Sequence, residues 1–283
     1  MDHGAVPEGL RAALDALVAE AAAAGGEMAL AVRHLDRGER YAHAADVPFK
    51  AASTIKVPIL VALYQAAAEG RVRLEAPVRL RAEDQVTGSG ILQVLSPGVR
   101  LPLRDLAELM IVVSDNAATN VILERLGVAG VNACIEALGL RQTRVLRALQ
   151  VIPAGAVGFN TVTAGDLADL LTLIARGEAV SWDACRRMVA TLKRQQINDS
   201  LPALLPDPED DAGAAVGVVP SWELAHKTGG ITGHQHDVGI LYRPGQSIVV
   251  CVLTRGCGTA AAARHLIARV GRAVWEGYGG RGA

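Results

Sequence analysis

A serine stands three residues before a lysine in Ser53-Thr54-Ile55-Lys56, at the start of a long apolar run. At helical spacing the two side chains share one face. A serine hydroxyl is a weak nucleophile and needs a neighbouring base or a field that stabilises its alkoxide. A lysine can serve as a free amine where desolvation lowers its pKa, or as an ammonium beside developing charge. A helix N-terminus adds partial positive charge and free N–H groups at the same spot. A second polar group, Ser114-Asp115-Asn116, follows the apolar residues 109–113. It can turn a hydroxyl and an amide toward a cleft, although Asp115 could also simply cap the next helix. A third group, Lys227-Thr228-Gly229-Gly230, falls at the end of a predicted strand. A cation, a hydroxyl and glycines at a strand edge can hold a carboxylate and let a substrate approach the backbone closely.

The elements that must position these groups are legible from periodicity. Leu10, Ala13, Leu14, Leu17 and Val18 follow Pro7 at helical spacing, and Gly25-Gly26 ends that helix. Residues 28–34 and 40–44 read as strands around the turn Asp36-Arg37-Gly38-Glu39. Helices are predicted over 52–69, 103–113, 117–126, 129–138, 164–176 and 182–195, with Thr163 and Asp166 resembling a capping box. Strands return at 222–227, 236–243 and 247–254, before a final helix at about 258–277. The economical packing is an α/β fold: one antiparallel sheet flanked by the N- and C-terminal helices, with an all-helical domain inserted. Residues 1–49 and 200–283 would form the α/β domain and residues 50–199 the helical one, with the site in the cleft between them.

Composition narrows the function classes. With 51% hydrophobic and 20% charged residues, the chain reads as globular rather than disordered. Aromatics are only 3% and the net charge is −1, which argues against nucleic-acid binding. The acidic cluster Asp207, Glu209, Asp210 and Asp211 reads as a solvated loop. Cys134, Cys185, Cys251 and Cys257 have no zinc spacing and suggest no disulfide framework, and no metal or organic cofactor is implied. No window is long and apolar enough for a membrane span, and the N-terminus does not read as a signal peptide. The expectation is a monomer acting on a small molecule, cytoplasmic as written, and secreted or periplasmic if a leader has been removed.

Together, S-x-x-K, S-D-N and K-T-G in this order resemble the class A β-lactamases and penicillin-binding proteins. The separations of 61 and 113 residues are also similar, and the resemblance extends over residues 10–277, including Asn120 and Asn160-Thr161-Val162-Thr163. It implies that Ser53 attacks a carbonyl, Lys56 helps activate it, and Ser114, helped by Lys227, relays a proton to the leaving nitrogen. Asn116 would bind a substrate side-chain amide, and Lys227 and Thr228, beside Gly229, a substrate carboxylate. The N–H groups of Ser53 and Gly230 would form the oxyanion hole.

The chain departs from the family at one point of the chemistry. Class A enzymes carry a glutamate before the Asn160 stretch that activates the deacylating water. Here the position falls on Leu149 or Gln150, and residues 140–164 contain no Asp or Glu. Gln150 could orient a water but is a poor proton acceptor. His234 is a candidate replacement base, and His236-Asp237 reads as a pair packing on a turn. Gly88-Ser89-Gly90 replaces a common aromatic and implies a more open mouth. The expected activity is β-lactam hydrolysis through a Ser53 acyl-enzyme, with slow deacylation. The alternatives are an esterase, amidase or peptidase on the same scaffold, or a sensor acylated without turnover.

Overall fold

A computed structural model describes residues 4–149, 158–207 and 220–279. In chain order the elements are α1 (Glu8–Ala23), β1 (Glu27–His34), β2 (Glu39–His43), β3 (Phe49–Lys50), α2 (Lys56–Ala68), β4 (Pro77–Arg79), β5 (Arg100–Pro102) and α3 (Leu103–Val112). There follow α4 (Asn116–Leu126), α5 (Val128–Ala137), β6 (Thr161–Val162), α6 (Ala164–Arg176), α7 (Trp182–Lys193), β7 (Glu223–Ile231), β8 (His234–Arg243), β9 (Gln246–Arg255) and α8 (Ala260–Gly277). Five strands form one antiparallel sheet in the order β2-β1-β9-β8-β7.

Strand alternation divides the core into two layers. Successive side chains of a strand point to opposite faces. Ile248, Val250 and Val252 of β9 therefore join Leu10, Leu14 and Leu17 of α1 and Ile267, Val270 and Val274 of α8. Val249, Cys251 and Leu253 face the other way, into a core shared with α2, α4 and α6. Each such aliphatic side chain contributes about 1.5–3 kcal/mol by burial. Central β9 is apolar along its length because both faces are covered. α2 is buried almost all round, which makes it the central helix of the second layer. The expected α/β fold, with its antiparallel sheet and terminal helices, is thus the one observed. Among the described residues no helix is long and apolar enough to cross a membrane.

Two local expectations are corrected. The strand predicted to end at residue 227 runs on to Ile231, so Lys227-Thr228-Gly229-Gly230 lies inside β7 and pairs with β8. Main-chain pairing, which needs no side chain, carries the strand through its glycines. His236 and Asp237 do not act as a pair on a turn, because neighbours on β8 point to opposite faces. His236 reaches Lys50, and Asp237 reaches His226.

His236 is a latch between the sheet and the segment leading to Ser53. Its Nδ1 accepts from the Thr254 N–H at 3.2 Å, so Nε2 carries the hydrogen donated to Lys50 O at 2.9 Å. Burial lowers its pKa from 6.5 to about 4. A lowered histidine pKa means that the unfolded chain binds the proton more readily. The contribution to stability is complete above about pH 6.5 and is lost as pH falls toward about 4. Between pH 7 and 4.5, wild type should lose about 2 kcal/mol more stability than His236→Leu. Urea melts at the two pH values check this, and an equal loss in both proteins would contradict it.

Candidate active site

Ser53 sits in a tight 3₁₀ turn, Ala52–Ile55, that leads into α2. Ala52 has φ 45°, a left-handed conformation costing a residue with a Cβ about 1 kcal/mol or more. Its neighbours fix it there. The Ala51 N–H donates to Asn160 O at 2.8 Å, and Thr54 donates to Ala51 O from both N–H (3.1 Å) and Oγ1 (2.7 Å). The turn carries no side-chain cap, so Ser53 is free of that duty.

Lys56 is fully buried. Its Nζ lies 2.7 Å from Ser114 O, 3.0 Å from Ser114 Oγ and 2.9 Å from Asn116 Oδ1. Ser114 is itself held at φ 56°, which turns both its carbonyl and its hydroxyl onto the lysine. Burial lowers the Lys56 pKa well below 10.5, nearby Lys227 pushes it the same way, and Asp115 opposes them. Lys227 is buried too, and its Nζ donates to Thr228 O at 2.9 Å. Desolvation lowers its pKa to about 7, partly offset by the Asp237 carboxylate. Asp237 in turn contacts His226 Nδ1 at 2.9 Å and accepts from the Leu201 N–H at 3.0 Å.

β7 approaches the serine turn closely. A Cβ on Gly229 would lie 3.1 Å from Ser53 N, so a side chain there would crowd the backbone of Ser53. A cleft of about 410 Å³ opens over this junction. Ser53, Asn116, Leu149, Asn160 and Gly230 line it, as does Ser89 from the Gly-rich stretch. Lys56, Ser114 and Lys227 lie buried rather than on its lining. Thr228 is nearly buried beside them on β7.

Asparagine side chains, each offering both an acceptor and a donor, hold the facing loop. The Asn120 side chain accepts from Leu149 N (2.7 Å) and donates to Leu149 O (2.8 Å). Asn160 accepts from Leu146 N and Arg147 N and donates to Arg147 O, and Asn132 treats Val145 likewise. Leu149 is thus fixed at the cleft wall, while Gln150 lies outside the described residues. His234 contacts Thr232 O and opens on a neighbouring depression with Cys257 and Arg264, away from the Ser53 cleft. Among the described residues no group of three His, Cys, Asp or Glu side chains could hold a metal ion.

The sequence reasoning missed Asn132, His226, Lys50, Arg147 and Phe159, whose importance lies in contacts distant along the chain. Asp115 both caps α4 and ties the site to its neighbour. It accepts from Ala118 N (2.9 Å) and from Ile91 N (2.7 Å) and Leu92 N (2.8 Å). Gly90 presses against it, since a Cβ there would lie 2.3 Å from the carboxylate.

An antiparallel sheet backed by terminal helices, with a serine and two buried lysines at its edge, defines a class of serine hydrolase. A profile of the β-lactamase enzyme family matches residues 9–278. The β-lactamase FAR-1 of Nocardia farcinica is 30% identical, over 84% of this chain and 74% of its own. The crystal structure of a β-lactamase from Sphaerobacter thermophilus superposes with a TM-score of 0.86 at 33% identity, covering 95% of this chain and 97% of that one. A leucine-to-glutamate mutant of PBP-A, in an acyl-enzyme complex with penicillin G, gives 0.84 at 31% identity, with coverage of 98% and 99%. The chain belongs to the β-lactamase enzyme family, in its class A and penicillin-binding-protein-like branch. Its function is that of a β-lactamase-like serine hydrolase.

Asp115→Ala would leave three N–H groups without their acceptor. We expect a loss of about 3 kcal/mol in a denaturant melt. A loss below about 1 kcal/mol would show that water replaces the carboxylate there.

Proposed function

We propose that β-lactams acylate Ser53 and that the acyl-enzyme is hydrolysed slowly. The observation that carries this reading is the buried Lys56 amine, held between Ser114 and Asn116 one helical turn from Ser53. With its pKa lowered, Lys56 reaches the reaction as a neutral amine. Two N–H groups then serve Ser114 O and Asn116 Oδ1, and the lone pair, which faces Ser114 Oγ at 3.0 Å, can accept a hydroxyl proton.

Lys56 takes the proton of Ser53 as Oγ attacks the carbonyl carbon. The N–H groups of Ser53 and Gly230 receive the oxyanion, each worth about 3 kcal/mol in the transition state. The C–N bond then breaks as Ser114, helped by Lys227, passes its hydroxyl proton to the leaving nitrogen and takes one back from Lys56, whose Nζ lies 3.0 Å away. Thr228 and Lys227 hold the substrate carboxylate beside Gly229, and Asn116 holds the side-chain amide.

Release of the acyl group needs a base for water. The resemblance puts the family's base at Leu149 or Gln150, and Leu149, an alkyl group, lines the cleft wall. This favours a second reading, in which the natural substrate is another amide or ester. The mutant PBP-A acyl-enzyme supports acylation by a penicillin on this scaffold.

Leu149→Glu restores a carboxylate at a backbone position that Asn120 already fixes. With a chromogenic cephalosporin, the variant should turn over about a hundredfold to ten-thousandfold faster than wild type. Ser53→Ala should abolish turnover in both backgrounds. Rapid wild-type turnover that the glutamate leaves unchanged would overturn the slow-deacylation reading.

A further inference from the structure

One wall of the cleft carries two cations with no acidic partner among the described residues. Lys50, from β3, places its Nζ 4.1 Å from the centre of the Phe159 ring. The Arg147 guanidinium lies 4.9 Å from the same centre. Phe159 is 45% exposed, and all three residues line the cleft that holds Ser53 and Asn116. Neither cation forms an ion pair with a described residue, although the surface elsewhere is rich in such pairs. None of the described residues lining the cleft is Asp or Glu.

An aromatic face attracts cations but cannot neutralise them. Two like charges on one ring repel each other until an anion arrives. In a concave site without acidic residues, their field draws negatively charged ligands inward. The carboxylate common to β-lactams is already matched by Lys227 and Thr228 on the β7 side. The charge near Phe159 therefore calls for a second anionic group. Asn116, which would hold the side-chain amide, lines the same cleft as these cations.

We infer that Lys50 and Arg147, stacked on Phe159, form a subsite for a carboxylate on the acyl side chain of the substrate. The inference rests on the Ser53 acylation reading and adds a substrate class to it: acyl donors that are anionic at both ends.

Benzylpenicillin and carbenicillin form a suitable pair of probes, because carbenicillin carries an extra carboxylate beside its side-chain carbonyl. Second-order acylation rates would be taken from intact mass at low salt. The ratio of the carbenicillin rate to the benzylpenicillin rate should fall about fivefold to tenfold in the double variant Lys50→Gln/Arg147→Gln. Adding about 0.5 M salt to the wild-type protein should lower the same ratio, a readout that needs no variant. A ratio unmoved by both the substitutions and salt would overturn the subsite while leaving Ser53 acylation standing. An absence of adduct with either penicillin would overturn the Ser53 reading, and the subsite with it.

Discussion

A lysine amine taken wholly out of water organises this site. An ammonium cannot be buried cheaply, so it must be paired or must shed its proton. Among the described residues Lys56 has no carboxylate in contact. It has a carbonyl, a hydroxyl and a side-chain amide oxygen, all within 3.0 Å. Those partners come from a single triplet, and Ser114 accepts a left-handed backbone to deliver two of them. Asp115 holds the triplet from behind, and its bonds to Ile91 and Leu92 fix the neighbouring loop as well. One desolvated amine thus couples the start of α2 to the start of α4.

The sheet supplies the opposite constraint. β7 brings its backbone against the serine turn, and Gly229 is what allows the approach. His236 draws Lys50 onto the sheet from the other side of the turn. Ser53 is therefore fixed by main-chain geometry on both flanks, and the strain at Ala52 is held by bonds to Ala51 and Lys50 rather than by Ser53 itself. Lys227 and Lys56 share this buried region, and the charge on Lys227 makes a charge on Lys56 harder to keep. Two lysines close together in low dielectric favour at least one neutral amine, the state a general base requires.

Much of this was legible in the sequence where the signal is local. The short apolar runs of the C-terminal strands and the helical spacing in α1 pointed to the sheet and its flanking helix, and the three motifs named Ser53 and both lysines, which the fold brings together. Gly229 and Gly230 misled on the end of β7, because glycine weakens a strand signal while the ladder continues through main-chain bonds. The burial of Lys56 could not be read, since a lysine after a serine is equally at home in water. His236 and Asp237 looked like a pair, yet their partners are Lys50 and His226, set by sheet pairing and by which face each occupies. The cationic wall was invisible for the same reason: Lys50 and Phe159 lie 109 positions apart.

The feature on which the proposed slow deacylation turns is the residue at the wall facing Ser53. Asn120 grips the backbone of Leu149 through both its N–H and its carbonyl, and the side chain held there is an alkyl group. The central claim is that Ser53 is the nucleophile and that its ester outlives the reaction that forms it. The direct test is a time course of intact mass after a brief exposure to benzylpenicillin and removal of the excess, with peptide mapping of the adduct. The account predicts one penicilloyl group per chain, on Ser53, decaying far more slowly than it formed. An adduct on another residue, or one that vanishes as fast as it appears, would contradict it.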